Sequence, residues 1–166
     1  MTRHLSKLGN KFSISLPKDA EGYLGRECPE AECERYFKIK PGTGLTGEDL
    51  PCHCPYCGHT GPMNSFHTKS QIDYATSVVN RQVTNAVTRD LKEMARSFNR
   101  RTQGGLLSIK MDVKSSSSPL CHYSEKDLET NIECSSCTLQ YSVYGVFAFC
   151  PDCAQHNSLL ILDKNL

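Results

Sequence analysis

The sequence predicts a small α+β protein with two short antiparallel β modules, one on each side of a long amphipathic α-helix along the chain. Three observations lead to this class. Ten cysteines fall into two groups, five within residues 28–57 and five within residues 121–153. Between the groups, residues 65–101 contain no glycine or proline. Near both groups, short stretches alternate apolar and polar residues, as half-buried strands do.

Composition limits the class of protein further. Only 38% of the 166 residues are hydrophobic, so a single large apolar core is not expected. No run approaches the ~18 apolar residues of a membrane-spanning helix, and the first residues lack the apolar stretch of a secretory signal. We therefore expect a soluble, cytoplasmic protein with no membrane partner. In a reducing compartment, closely spaced cysteines indicate metal binding rather than disulfides.

The charges are distributed unevenly along the chain. Although the formal net charge is +1, residues 58–120 hold nine basic and four acidic side chains, and residues 121–166 hold two basic and six acidic ones. We expect three parts: an N-terminal strand and first cysteine module (1–62), a long basic amphipathic helix (63–104), and a strand, a Ser-rich linker and the second cysteine module (105–166).

Two short strands are predicted in the first part. Residues 11–16 alternate apolar and polar side chains before Pro17, which cannot donate to a sheet ladder. Residues 35–40 also have the composition of a strand and are followed by the turn sequence Pro41-Gly42.

One long helix is predicted from Ser65 to Arg101, ended by Gly104-Gly105. At 1.5 Å per residue it would be roughly 55 Å long, so its apolar stripe must meet another helix, the cysteine modules or a second copy of the chain. A strand over 107–113 and a serine linker over 115–119 follow it. The stripe consists of Ile72, Ala75, Val79, Val83, Ala86, Val87, Leu91, Met94 and Phe98.

The second cysteine module has the clearer spacing. Cys134 and Cys137 form one C-x-x-C pair, twelve residues follow, and Cys150 and Cys153 form another. Each pair places two thiolates on one side of a tight turn (a knuckle), and a hairpin turning at Gly145 would bring the two knuckles to one zinc ion.

These residues resemble the zinc-ribbon family of nucleic-acid-associated proteins over about residues 132–163. The resemblance implies a third strand over 158–162. It also implies a slightly wider final turn, because Ala154 replaces the glycine that often follows a knuckle.

The first module is less regular but also resembles a zinc ribbon. We assign Cys28, Cys33, Cys54 and Cys57 as its ligands. The C-P-x-C-G turn orients backbone amides toward the sulfurs of its cysteines, and we expect Cys52 to lack such amide donors. Replacement of a ligand by Cys52, His53 or His59 remains an alternative. The fold class is thus two zinc ribbons of short antiparallel strands flanking one long amphipathic α-helix.

The expected cofactor is two structural zinc ions. Iron of the rubredoxin type is disfavoured because the modules lack matching glycine-rich loops. Both modules supply four cysteines, whereas a catalytic zinc keeps an open position. The adjacent pairs Cys52-His53 and Cys121-His122 cannot readily place an imidazole against the thiol, and no nucleotide-binding or metalloprotease motif occurs. We expect no enzyme activity.

A basic face on the helix is the candidate nucleic-acid interface. On a helical projection five cations lie together opposite the apolar stripe, joined by Gln71, Gln82 and Asn85. Such a row can follow phosphates, although basic helix faces often serve only as solvated surface. The five cations are Arg81, Arg89, Lys92, Arg96 and Arg100.

Two functions remain open at this stage. The first is a DNA- or RNA-binding module, for which an accessory domain of a larger effector is one option. The second is a scaffold or dimerisation module that recruits a protein partner or a second copy through the helix. Tyr141, Tyr144 and Phe147 would serve either function if exposed. Asp90 projects into the apolar sector, so we expect it to meet a cation or to cap a neighbouring backbone.

Overall fold

The computed structural model describes residues 3–45, 50–103, 109–115, 117–145 and 147–158. The chain forms two compact units: unit 1 comprises Met1–Ser15 and Asp73–His122, and unit 2 comprises Leu16–Ile72 and Tyr123–Leu166. The predicted α+β class, with one long helix and short antiparallel strands, is confirmed. The division at 1–62, 63–104 and 105–166 stays a prediction.

Among the described residues, eight strands are present, all of them in unit 2 and none longer than four residues. A four-stranded antiparallel sheet has the order β1-β2-β6-β5, while β3 pairs with β4 and β7 pairs with β8. The strands are β1 (Leu24–Glu27), β2 (Tyr36–Ile39), β3 (Pro51–His53), β4 (Thr60–Pro62), β5 (Thr130–Glu133), β6 (Gln140–Val143), β7 (Phe147–Phe149) and β8 (His156–Ser158).

Each of the four cysteine knuckles connects two paired strands. In all four, the residue after the last cysteine adopts a positive φ: Glu34 at 44°, Gly58 at 74°, Thr138 at 62° and Ala154 at 57°. The Ala154 amide donates to the Cys150 carbonyl at 3.0 Å, as Gly58 does to Cys54. The expectation of a wider turn at Ala154 was therefore wrong, because alanine adopts the same left-handed conformation at a modest cost.

The predicted hairpin around Gly145 was also wrong. Gly145 does turn the chain, with a φ of 92°, but β6 and β7 on its two sides do not pair with each other. Instead β6 pairs with β5 and with β2, and β7 pairs with β8. Each knuckle thus has its own hairpin. Of the third strand expected over 158–162, only Ser158 lies within the described residues, at the end of β8.

The two cysteine modules are joined by reciprocal backbone pairing. Lys38 of β2 lies opposite Ser142 of β6, and each is the fifth residue after the last cysteine of its preceding knuckle. The His53 amide donates to the Pro151 carbonyl at 2.8 Å, and the Phe149 amide donates to the Pro55 carbonyl at 2.9 Å. Equivalent positions therefore contact each other, which is the pattern of an approximate two-fold axis between the modules.

The core of unit 2 lies where these modules meet. Tyr141, Phe37, Phe66 and Val143 are fully buried there, and Phe37 contacts Phe66 edge to face with ring centroids 6.0 Å apart. Tyr141 is therefore not available as an exposed aromatic. Tyr144 is 49% exposed, and the side chain of Phe147 lies outside the described residues.

A buried polar network holds the edge strand β1. The Glu125 carboxylate accepts hydrogen bonds from the Gly25 amide at 2.6 Å and from the hydroxyls of Tyr36 and Tyr123. The fully buried Gln71 donates to the Gly25 carbonyl at 2.8 Å and to the Tyr123 hydroxyl at 2.8 Å. A side chain at Gly25 would overlap Glu125 and Tyr36, so only glycine fits. Burial and the Glu125 carboxylate raise the pKa of both tyrosines, which therefore stay protonated donors.

Helix α1 spans Lys69–Thr102, and a 3-10 helix precedes it at Met63–Phe66. The predicted start at Ser65 is four residues early because Thr68 and Gln71 form a capping box. The Thr68 hydroxyl accepts the Gln71 amide at 3.1 Å, and the Gln71 side-chain oxygen accepts the Thr68 amide at 3.1 Å. Gln71 consequently belongs to the buried cap and not to the exposed basic face. Gly104-Gly105 lies outside the described residues.

In unit 1, two segments without regular secondary structure contact α1. Residues 3–15 contain no strand, so the strand predicted over 11–16 was wrong. The described part of the strand predicted over 107–113, residues 109–113, is not a strand either. Its Met111 exchanges two backbone-to-side-chain hydrogen bonds with Asn99, both 2.8 Å long. In both segments the alternation of apolar and polar residues does not produce a strand, because neither has a neighbouring strand among the described residues. Within the described residues, no helix has the length and apolarity needed to cross a membrane.

The capping box provides a stability test. Changing Thr68 to Ala removes the acceptor of the Gln71 amide, so we expect the free energy of unfolding to fall by about 1 kcal/mol. This change in the free energy of unfolding is measured by urea denaturation, with circular dichroism as the signal. Thr76→Ala, at an exposed site inside α1, is the matched control and should be neutral or slightly stabilising. Equal losses in both variants would contradict the capping role.

Candidate functional site

The structure brings the eight predicted ligand cysteines into two clusters of four, in which all four sulfurs lie within 4.8 Å of one another. In the first cluster, the Cys28 and Cys57 sulfurs are 3.7 Å apart, as are those of Cys33 and Cys54. In the second, the distances are 3.6 Å for Cys134–Cys153 and 3.4 Å for Cys137–Cys150. The members come from different hairpins, so each cluster links two knuckles.

These distances fit a tetrahedral metal site. Sulfurs bound at about 2.3 Å to one ion at the centre of a tetrahedron lie about 3.8 Å apart. A disulfide would instead bring two sulfurs to about 2.05 Å. Four thiols held together, with no disulfide among them, form a donor set for a soft or borderline metal ion.

Backbone amides point at the sulfurs, as predicted for the C-P-x-C turn. The Cys54 sulfur accepts hydrogen bonds from the backbone amides of Tyr56 and Cys57. At the equivalent place in the second cluster, the Cys150 sulfur accepts hydrogen bonds from the amides of Asp152 and Cys153. Such hydrogen bonds stabilise a thiolate. Burial nevertheless raises the pKa of Cys54 to about 11, so metal binding near pH 7 must release its proton.

Cys52 lies outside both clusters. It is fully buried, and it occupies the place that Ala148 takes in the second module, two residues before the knuckle's first cysteine. Its sulfur accepts one amide, from His53, so the expectation that it lacks such a donor was wrong. Burial raises its pKa to about 12, which keeps it a neutral thiol in the core. It packs as a small apolar residue.

The other alternative ligands have different partners. The His53 ring nitrogen Nδ1 lies 2.8 Å from the Thr60 hydroxyl, and the His59 ring lies 3.3 Å from the Glu30 carboxylate. Neither histidine belongs to a four-cysteine cluster among the described residues. Cys121 is exposed and likewise outside both clusters.

The predicted basic face is open to solvent. Arg81, Arg89, Arg96 and Arg100 are exposed on α1, and Lys92 is half-buried. Within the part of the chain that the structure describes, none of the five forms an ion pair. Their charges are therefore free to contact an external anion.

The N-terminal segment adds cations that the helical pattern could not reveal. Arg3 lies beside Arg96 and Arg100 along an open groove of about 670 Å³. Lys7 lines a second groove of about 360 Å³ with Arg89. Nothing in the local sequence around these residues indicates that they lie along the helix.

Asp90 fastens this segment to the helix. Its two carboxylate oxygens accept the backbone amides of His4 at 2.9 Å and Leu5 at 3.0 Å. The His4 ring also lies 2.9 Å from the Glu93 carboxylate. Asp90 therefore caps a neighbouring backbone, one of its two expected roles. The hydrogen bond from the His4 amide is the main reason that the Asp90 pKa lies below its usual range.

Ligand substitution tests the two clusters. Wild-type protein should carry two metal ions per chain by elemental analysis. Cys134→Ser should lose one of them and unfold the hairpins around the second cluster, because three thiolates leave the metal incompletely ligated. Cys121→Ser should retain both ions. Equal metal loss in the two variants would show that the ligands are misassigned.

Acidification tests the Asp90 contact. Because folding lowers this pKa, the contact contributes fully above the ordinary value of 3.8 and is lost as the pH falls through the lowered value. The His4 and Leu5 amide resonances should therefore shift together only in strong acid. In Asp90→Ala they should already be at their detached positions at neutral pH, whereas Asp73→Ala, at another exposed site on α1, should leave them in place.

Comparisons with known proteins leave the site to be interpreted from its own geometry. No protein-family model, curated protein or solved structure matches the chain. The two four-cysteine clusters and the basic face of α1 are therefore the features on which a function can be based.

Proposed function

We propose that the chain is a non-catalytic zinc-binding module that binds nucleic acid through the basic face of α1. The observation that carries the proposal is the row of four exposed cations and the half-buried Lys92, none with an ion pair among the described residues, extended by Arg3 and Lys7 of the N-terminal segment. Two zinc ions would hold unit 2, and unit 1 would supply the binding surface.

Zinc is the metal that best suits the clusters. Four cysteines at tetrahedral spacing, with backbone amides donating to the sulfurs, are the ligands that structural zinc takes. A complete four-sulfur set leaves no position for water or substrate, which supports a structural role.

The spacing of the cations supports phosphate binding. Lys92, Arg96 and Arg100 follow one another at steps of about 6 Å along the helix axis. Each such contact with a phosphate releases condensed counterions, so several together give measurable affinity without reading the base sequence. The polar side chains of Gln82 and Asn85 line the groove next to Arg89 and can contact bases or sugars.

A specific observation also favours the scaffold or dimerisation function. Leu91, Met94 and Phe98 on the apolar stripe are 40%, 54% and 36% exposed. The apolar side chains and the cations lie on different faces of α1, so a protein contact and a nucleic-acid contact are compatible on one helix.

Charge removal tests the nucleic-acid proposal. Changing Arg89, Lys92 and Arg96 together to Gln should preserve the helix, because glutamine has a similar helix propensity. Affinity for a single- or double-stranded DNA or RNA oligonucleotide should fall. The slope of log affinity against log salt should decrease by about 0.7 to 0.9 for each phosphate contact removed.

A second triple variant controls for net charge. Lys18, Lys40 and Lys69 changed to Gln remove the same charge from outside the basic face, and this variant should keep the wild-type affinity. Similar losses in the two variants would mean that binding follows total charge only. Absence of binding by the wild-type protein at ~50 mM salt would reject the proposal, because electrostatic association is strongest at low salt.

A further inference from the structure

An apolar strip lies open along one face of unit 1. We define it as Leu5, Val87, Leu91, Met94 and Phe98, which are 36–54% exposed. Four of the five line a groove of about 450 Å³ between the N-terminal segment and α1. No charged group belongs to the strip itself, although Arg3, Asp90 and Glu93 line the same groove.

The strip has the spacing of a helix-pairing seam. Its helical members follow one another at intervals of four, three and four residues. They therefore occupy the d-a-d-a positions of successive heptads, in the order Val87, Leu91, Met94 and Phe98. Side chains at these positions insert between those of a facing helix. A seam of this kind is complementary to a second copy of itself, so no other sequence is needed to cover it.

The exposed area agrees with a homodimer. Five side chains of this size, 36–54% exposed, leave on the order of 400 Å² of apolar surface. A stable interface buries about 800 Å² per partner, and a little over half of that area is apolar. The strip therefore supplies roughly the apolar area that one side of a small dimer interface contains.

The charges also allow self-association through this face. On the helical projection Arg89 and Arg96 lie on the side of α1 opposite the strip. Two chains can thus pair strip to strip without placing their basic faces against each other, whereas pairing through the cations would oppose like charges.

We propose that this protein forms a two-fold symmetric homodimer through the apolar strip of unit 1. The proposal does not depend on nucleic-acid binding. In such a dimer the two basic faces point outward and remain available.

Sedimentation of the metal-loaded 166-residue chain tests the proposal. The wild-type mass should rise toward twice the monomer mass of 18.5 kDa as the concentration increases over about 1 to 100 μM. Leu91→Gln combined with Met94→Gln should raise the dimer dissociation constant at least roughly tenfold. A wild-type monomer throughout this range would overturn the proposal, whether or not the protein binds oligonucleotides.

The matched control changes exposed apolar residues outside the strip. Ile72 and Leu120 are 55% and 46% exposed, and the variant Ile72→Gln with Leu120→Gln should dimerise as the wild type does. If the control dissociates as readily as the strip variant, the dimer uses another surface and the proposal fails. Amide exchange of the wild type gives a test that needs no variant: residues 87–98 should be protected more at high than at low concentration, and equal protection would contradict the proposal.

Discussion

The gathering of four sulfurs in each cysteine cluster is the constraint on which the rest of unit 2 depends. In the described part of the chain no strand is longer than four residues, and isolated hairpins of this length are marginal in water. Each cluster fastens two such hairpins at their turns, where a bound ion would contribute directly to the free energy of folding. The reciprocal pairing of β2 with β6 then merges both centres into one sheet and one core, which neither module has enough apolar residues to form alone.

Much of the metal chemistry could be predicted from the sequence because it depends on local spacing. A C-x-x-C turn fixes two sulfurs whatever the rest of the chain does, and the structure brings together the same eight cysteines. The long helix was equally predictable, because residues 65–101 lack both residues that break helices. The first residue of the helix could not be predicted in this way. It depends on the reciprocal cap between Thr68 and Gln71, which apolar periodicity does not detect.

The incorrect strand and hairpin predictions share a physical origin in pairing between distant segments. Strand composition around Gly145 indicated the strands correctly but could not indicate their partners, since β6 pairs with β2 about 100 residues earlier in the chain. The alternation over residues 11–16 indicated a strand, but a strand also needs a neighbour. Arg3 and Lys7 lie beside the helix only because Asp90 binds the backbone of that segment. Contacts of this kind depend on the tertiary fold and leave no local signature.

Lys38 lies at the centre of the β2–β6 pairing, 5% exposed and bound to Asp19 at 2.7 Å. The partner of β2 is β6, which begins at Gln140, 101 residues after β2 ends at Ile39. During translation at about 5 to 20 residues per second, roughly 5 to 20 s therefore pass between the synthesis of β2 and that of β6. Over this time the edge of β2 that pairs with β6 has no partner. A lysine in the middle of an edge strand discourages pairing with other chains. Before β6 has been synthesised, Lys38 would therefore disfavour pairing of the β2 edge with other chains, whereas in the finished sheet the same residue is buried.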